Sequence, residues 1–192
     1  IRTQGSEQAG FGHIRRSVYL ASLIKHNHKI HFIINRDKTV IRYLDSFGFE
    51  YTPIQGIKSL DWDKIDSILF DLRHSEAADN SLLKKAEEFN IPTAQITDLG
   101  LNQMDVDLLI NGTLGLKNQI VETDRRKILN GPEYAILHHK FIHFNRLNRN
   151  YYRKSKRVLI SLGGGVQYRP LRNIVDLLYR NGFQIKITGG FY

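Results

Sequence analysis

The chain has 192 residues, 41% hydrophobic and 24% charged with only 4 prolines, the make-up of a folded protein with a packed core rather than a disordered or fibrous chain. It has no cysteine, which excludes disulfides, thiolate zinc sites and cysteine nucleophiles, and no apolar run reaches the roughly 20 residues that cross a bilayer. Its 28 basic against 19 acidic residues leave a formal charge of +9, which attracts anionic partners: nucleic acid, anionic lipid at a membrane surface, or a phosphorylated small molecule.

Ile1 to Thr3 read as the tail of a first strand, and "AGFGHIRRS" (Ala9 to Ser17) follows as a glycine-rich turn into a helix. In that helix Ile14, Val18, Leu20, Ala21 and Ile24 are expected to face a sheet, which leaves His13 and Arg16 near the exposed first turn. Lys29 to Asn35 is a β-rich run, and "TVIRYLDSFG" has helical spacing with a stop at Gly48. Ser67 to Asp71, Thr93 to Asp98 and Val106 to Asn111 are short, almost wholly apolar strands with polar ends, which suit a parallel sheet covered on both faces. Between the first two, Glu76 to Asn90 carries Ala78, Leu82, Leu83, Ala86 and Phe89 at helical spacing, with Pro92 just past the end. This alternation predicts an α/β fold, doubly wound and Rossmann-like.

Gly112 to His143 shows no clear pattern, and Arg146 to Arg157 is dense in charge. Behind it the βαβ pattern restarts with the strand and glycine turn "VLISLGGG", the helix "RPLRNIVDLLYRNG" ending at Gly182, and the strand "FQIKITGG". A boundary near residue 148 is expected, with 1–147 as an N-terminal Rossmann-like domain and 148–192 as a linker and the incomplete start of a second such domain. On that reading the chain is the N-terminal part of a longer protein. The lack of cysteine and of a leader ahead of Ile1 makes the cytoplasm the expected location.

A glycine-rich strand-to-helix turn lets backbone approach an anion while helix amides point at it, so Gly10 and Gly12 are candidates for binding a phosphate or a developing negative oxygen. A protonated histidine at a helix N-terminus would oppose the macrodipole, which marks His13 as a candidate general base rather than a stabilising group. Arg15 and Arg16 can pair with phosphate or with carboxylates. Asp71, Asp98 and Asn111 close strands on the same rim, where they could orient His13, hold a sugar hydroxyl or position a water. The competing structural account is a tight turn at Gly12, a solvated His13, arginines coating a helix, and polar residues that each cap a turn.

Two other classes have weaker support. His26 with His28, and His139 with His143, resemble metal-ligand pairs, but without an acidic cluster surface placement is favoured and no metal is expected. "NYYRKSKR" (Asn150 to Arg157) mixes rings and cations as a nucleic-acid surface does, yet it is confined to one linker, so nucleic acid is not the expected partner.

Four segments in order, "GSEQAGFGHIRRSVYLA", "DVDLLIN", "GPEYAIL" and "VLISLGG", resemble the UDP-diacetamido-trideoxy-altropyranose hydrolases of pseudaminic acid biosynthesis. That family is related to spore coat polysaccharide proteins and to GT-B glycosyltransferases. The resemblance implies two Rossmann-like domains of GT-B type, the nucleotide held mainly by the C-terminal one and the sugar in the cleft. It implies that His13 is the general base of a G-x-G-H-x-x-R motif whose arginine is Arg16, and that water releases UDP with no cofactor. Gly163 and Gly164 would belong to the nucleotide-binding turn of the second domain. The chain departs from the family where Asp71, Leu72 and Arg73 replace Asp-His-Tyr, where Thr97 and Asp98 replace paired aspartates, and where Val166 replaces the aspartate of a Gly-Gly-x-Asp turn. These departures point to a different sugar or an altered activity. A GT-B glycosyltransferase, with a hydroxyl acceptor in place of water, is the nearest alternative.

Overall fold

The computed structural model describes residues 1–6, 10–98, 103–113, 126–138, 140–141, 155–161 and 168–188. Seven strands form one parallel sheet: β1 (Arg2–Thr3), β2 (His31–Ile34), β3 (Glu50–Pro53), β4 (Ile68–Asp71), β5 (Thr93–Ile96), β6 (Leu108–Asn111) and β7 (Lys127–Asn130). Their spatial order, β3-β2-β1-β4-β5-β6-β7, reverses direction between β1 and β4. In open α/β sheets ligands bind at such a reversal, outside the carboxyl ends of the strands.

The interior strands are buried on both faces, and their alternation sorts side chains between two clusters. Phe32 and Ile34 pack with Phe11, Ile14 and Val18 on the α1 side (Gly12–Ile24) and with Val40 and Leu44 of α2 (Lys38–Phe47). Ile33 faces the opposite cluster, with Phe70 and with Leu82 and Ala86 of α3 (Ala77–Glu88). Each fully buried side chain of this size contributes about 1.5–3 kcal/mol, so helix placement is set by burial more than by propensity. Asp37 caps α2 by accepting from the backbone N–H of Thr39 and Val40, and Gly48, at φ 69, ends it.

The α/β architecture and the parallel sheet are as the sequence predicts, with differences at the margins. Both edge strands, β3 and β7, escape prediction, because an edge strand with half-exposed residues lacks the apolar run of an interior one. Pro53 in β3 pairs with Ile34 in register, a position tolerated at an edge. Two short 3-10 helices, Ile54–Ser59 and Trp62–Lys64, lie between β3 and β4 where a longer helix is usual. In α1 Leu20 and Ile24 are only half-buried, and Ser17 takes a fully buried position. Phe89 is 42% exposed and stacks on Trp62 rather than entering the core.

A separate parallel pair, β8 (Arg157–Ser161) and β9 (Gln184–Thr188), is connected through α4 (Tyr168–Arg180). The expected boundary near residue 148 lies outside the described residues. No helix among the described residues is long and apolar enough to cross a membrane.

Candidate active site

β1 stops at Thr3, and the chain turns through Gln4, Gly5 and Ser6 before α1. Ser6 and Gly10 bridge across this loop through two backbone hydrogen bonds of 3.3 and 2.9 Å, and Gly10 sits at φ +89, where a side chain would be strained. Gly5 meets a different demand: a Cβ there would lie 2.9 Å from Ile14 Cγ2, so only glycine lets α1 pack this closely on the sheet. At Gly12 a Cβ would meet nothing within 4 Å, which leaves open space at the first turn. Buried Phe11 anchors that turn against Tyr43, and α1 has neither a side-chain cap nor an acidic residue in its first turn.

His13, Arg16 and Ser17 share one face of α1, three and four residues apart, and that face meets the end of β4. Asp71, the last residue of β4, pairs in register with Thr3 of β1 and is wholly buried. Its Oδ1 accepts from His13 Nδ1 at 2.8 Å and Arg16 Nη2 at 2.5 Å, and its Oδ2 from Arg16 Nε and Ser17 Oγ, both at 3.0 Å. Arg16 Nη1 donates to Asp98 Oδ1 at 2.8 Å. Thr97 and Asp98 lie just beyond the end of β5, which brings Asp98 within reach of α1.

Burial alone would raise the Asp71 pKa, but the hydrogen bonds and charges of His13 and Arg16 outweigh it and hold the carboxyl below its ordinary 3.8. For Arg16 partial burial works against the charge, and the bonds to Asp71 and Asp98 again prevail, so its pKa is raised. Arg16 Nη2 lies 3.2 Å from His13 Nδ1, but the contact of that nitrogen with Asp71 is shorter at 2.8 Å and a carboxylate only accepts hydrogen bonds, which assigns the proton of neutral His13 to Nδ1 and the basic lone pair to Nε2. Nε2 has no partner among the described residues, and His13 lines a cavity of about 370 Å³ at the ends of β1, β2 and β4. A larger concavity of about 570 Å³ along β8 and β9 is lined by no carboxylate or histidine among the described residues.

Of the residues singled out from sequence, His13, Arg16, Asp71 and Asp98 form one network, with Gly10 and Gly12 at its rim. Asn111 ends β6, and its amide bonds to Asn130 at 2.9 Å and to the backbone N–H of Thr113 at 3.2 Å rather than to His13, Arg16 or Asp71. Gly163 and Gly164 lie outside the described residues, as do His139 and His143, while His26 and His28 are exposed. Among the described residues no group of three or more histidines and carboxylates is placed to hold a metal ion. Sequence reasoning misses Ser17, whose only signal is its four-residue spacing from His13, and Gly5, whose role depends on a contact with Ile14.

No family model matches the chain. It is 30% identical over 182 residues to an uncharacterized protein of Methanocaldococcus jannaschii, across 85% of this chain and 36% of that protein. It is 25% identical over 173 residues to the spore coat polysaccharide biosynthesis protein SpsG of Bacillus subtilis, across 85% of this chain and 50% of that protein. The chain is a distant relative of a polysaccharide biosynthesis protein. It spans about a third of the first relative's length and half of the second's.

Proposed function

We propose that this chain belongs to an enzyme of sugar or polysaccharide biosynthesis that hydrolyses a UDP-amino-sugar, with His13 as general base. The observation that carries the reading is the 2.8 Å contact of His13 Nδ1 with buried Asp71, which leaves Nε2 on the cavity wall. In the reaction His13 Nε2 takes a proton from water, the water oxygen bonds to the anomeric carbon, and the bond from that carbon to the diphosphate oxygen breaks to release UDP. Asp71 fixes the imidazole tautomer and stabilises the imidazolium that forms, a part of general-base catalysis worth about 10²–10⁴ in rate. Arg16 holds Asp71 from a second side and is itself fixed by Asp98. On this reading residues 148–192 begin a C-terminal nucleotide-binding domain, with Gly163 and Gly164 in its phosphate turn. The distant kinship with a spore coat polysaccharide biosynthesis protein supports sugar chemistry.

A glycosyltransferase uses the same base with a sugar or lipid hydroxyl in place of water. UDP release from a panel of UDP-amino-sugars by the full-length protein, with and without hydroxyl acceptors, separates the two. Release in water that is lost in His13→Ala supports the hydrolase. Release only with an acceptor moves the reading to the transferase, and no release in either condition overturns it.

A further inference from the structure

Among the described residues, the cavity beside His13 is lined by Arg36 and Arg73 and by Asp37 and Glu76, two carboxylates that are taken up at helix starts. Three helix N-termini converge on this rim, each equivalent to about half a positive charge. Two have their own carboxylates: Asp37 caps α2, and Glu76 joins Asp79 in a reciprocal capping box at the start of α3. The third, that of α1, has none among the described residues. Arg36 and Arg73 line the same cavity from the ends of β2 and β4, and neither forms an ion pair among the described residues. The turn holding Arg73 is pinned, because the amide oxygen of Gln4, oriented to satisfy both, accepts from the backbone N–H of Arg73 and His74 at 2.5 and 3.0 Å. Asn35 lines the same cavity, its Nδ2 donating to Glu76 Oε1 at 3.5 Å while its buried Oδ1 has no hydrogen-bond donor among the described residues. Two free guanidiniums match a carboxylate, and an acceptor without a donor suits a hydroxyl. A volume of about 370 Å³ falls at the small end of ligand pockets, about 300–1,000 Å³.

We propose that the sugar this site accepts carries a carboxylate, gripped by Arg36 and Arg73, with a neighbouring hydroxyl donated to Asn35 once its amide turns to meet it. The proposal rests on the nucleotide-sugar reading for its place in the reaction. In a direct displacement the attacking oxygen and the leaving diphosphate lie on opposite sides of the anomeric carbon. Cations that line the cavity on which the base opens are therefore assigned to a ring substituent rather than to the diphosphate.

The test is equilibrium binding, which needs no turnover. UDP-glucuronate, UDP-glucose and UDP are titrated into the full-length protein and into its Arg36→Gln/Arg73→Gln variant, and glucuronate and glucose alone are compared by saturation-transfer NMR. The expected result is at least tenfold tighter binding of UDP-glucuronate than of UDP-glucose, falling to within twofold in the variant while UDP binding stays constant. Equal binding of the two sugar nucleotides, or a preference that survives in the variant, overturns the proposal. So does an equal loss of UDP affinity, which would assign the arginines to the diphosphate. If no nucleotide binds, the UDP-sugar reading fails, and the free sugars decide separately: glucuronate saturation lost in the variant supports the acidic-sugar pocket, and no saturation overturns it.

Discussion

Two guanidinium-carboxylate clusters lie within a few residues of each other in this fold, and they differ in access. Arg2 on β1 and Asp79 at the start of α3 are both 0% exposed and 2.5 Å apart, with Arg2 Nη1 also donating to the Thr3 carbonyl at 2.8 Å. One strand over, Asp71 is equally buried, but its partners His13 and Arg16 keep 21% and 20% of their side-chain surface, and His13 opens onto a cavity. The same functional groups thus serve two ends. The sealed pair ties α3 to the sheet, whereas the open cluster presents a fixed imidazole nitrogen to whatever enters. Arg2 Nη2 and Thr3 Oγ1 remain buried without a hydrogen-bond partner among the described residues, so the sealed pair is imperfectly satisfied. A pair of that kind adds little net stability over apolar replacements but is costly to break.

Breaking each cluster in turn sharpens the contrast. The largest effect is expected from Asp71→Ala, which strips the acceptor from His13, Arg16 and Ser17 at once and should destabilise the fold by about 3–5 kcal/mol while abolishing UDP release. Asp79→Ala should cost a similar 3–5 kcal/mol in denaturant titration, yet leave the rate per folded molecule unchanged. A loss of rate without loss of stability at Asp79 would erase the distinction between the clusters. Arg16→Lys keeps the charge but loses the two-pronged grip on Asp71, and should lower kcat by about tenfold, as expected when a charge-assisted bond worth about 1.5 kcal/mol goes. Ser17→Ala removes a single buried hydrogen bond and should cost about 1 kcal/mol with little change in rate.

Acidity gives a finer version of the same test. Because the folded Asp71 pKa lies below its ordinary 3.8, its ionised form stabilises the fold fully above that value, and the contribution is lost as pH falls through the folded pKa. The stability gap between wild type and Asp71→Asn, followed by thermal unfolding, should stay constant down to about pH 4 and narrow below it. A gap that widens with acid would mean that Asp71 is protonated in the native protein.

The interior strands, α2, α3 and the start of α1 are legible in the sequence because burial on both faces writes continuous apolar runs and helical spacing. The edge strands write neither, so Glu50–Pro53 and Lys127–Asn130 emerge only from their pairing with β2 and β6. Within the site, His13, Arg16, Asp71 and Asp98 are legible from a glycine-rich turn and from polar residues that close strands. Asn111 obeys the same rule and yet serves its own turn, since strand-end position does not say which neighbour a side chain meets. Ser17 is hidden because a small polar residue on a helix has no periodic signature. Arg36 is hidden, and Arg73 shows only as a departure from the family pattern, since among 28 basic residues only the structure tells a paired cation from a free one.

The most direct measurement is UDP release by His13→Ala in the full-length protein, with and without added imidazole. The account predicts a fall of about 10²–10⁴ in kcat/KM with a loss of only about 1 kcal/mol in stability, the activity being partly restored by imidazole as the missing base. Release by His13→Ala at the wild-type rate would contradict it.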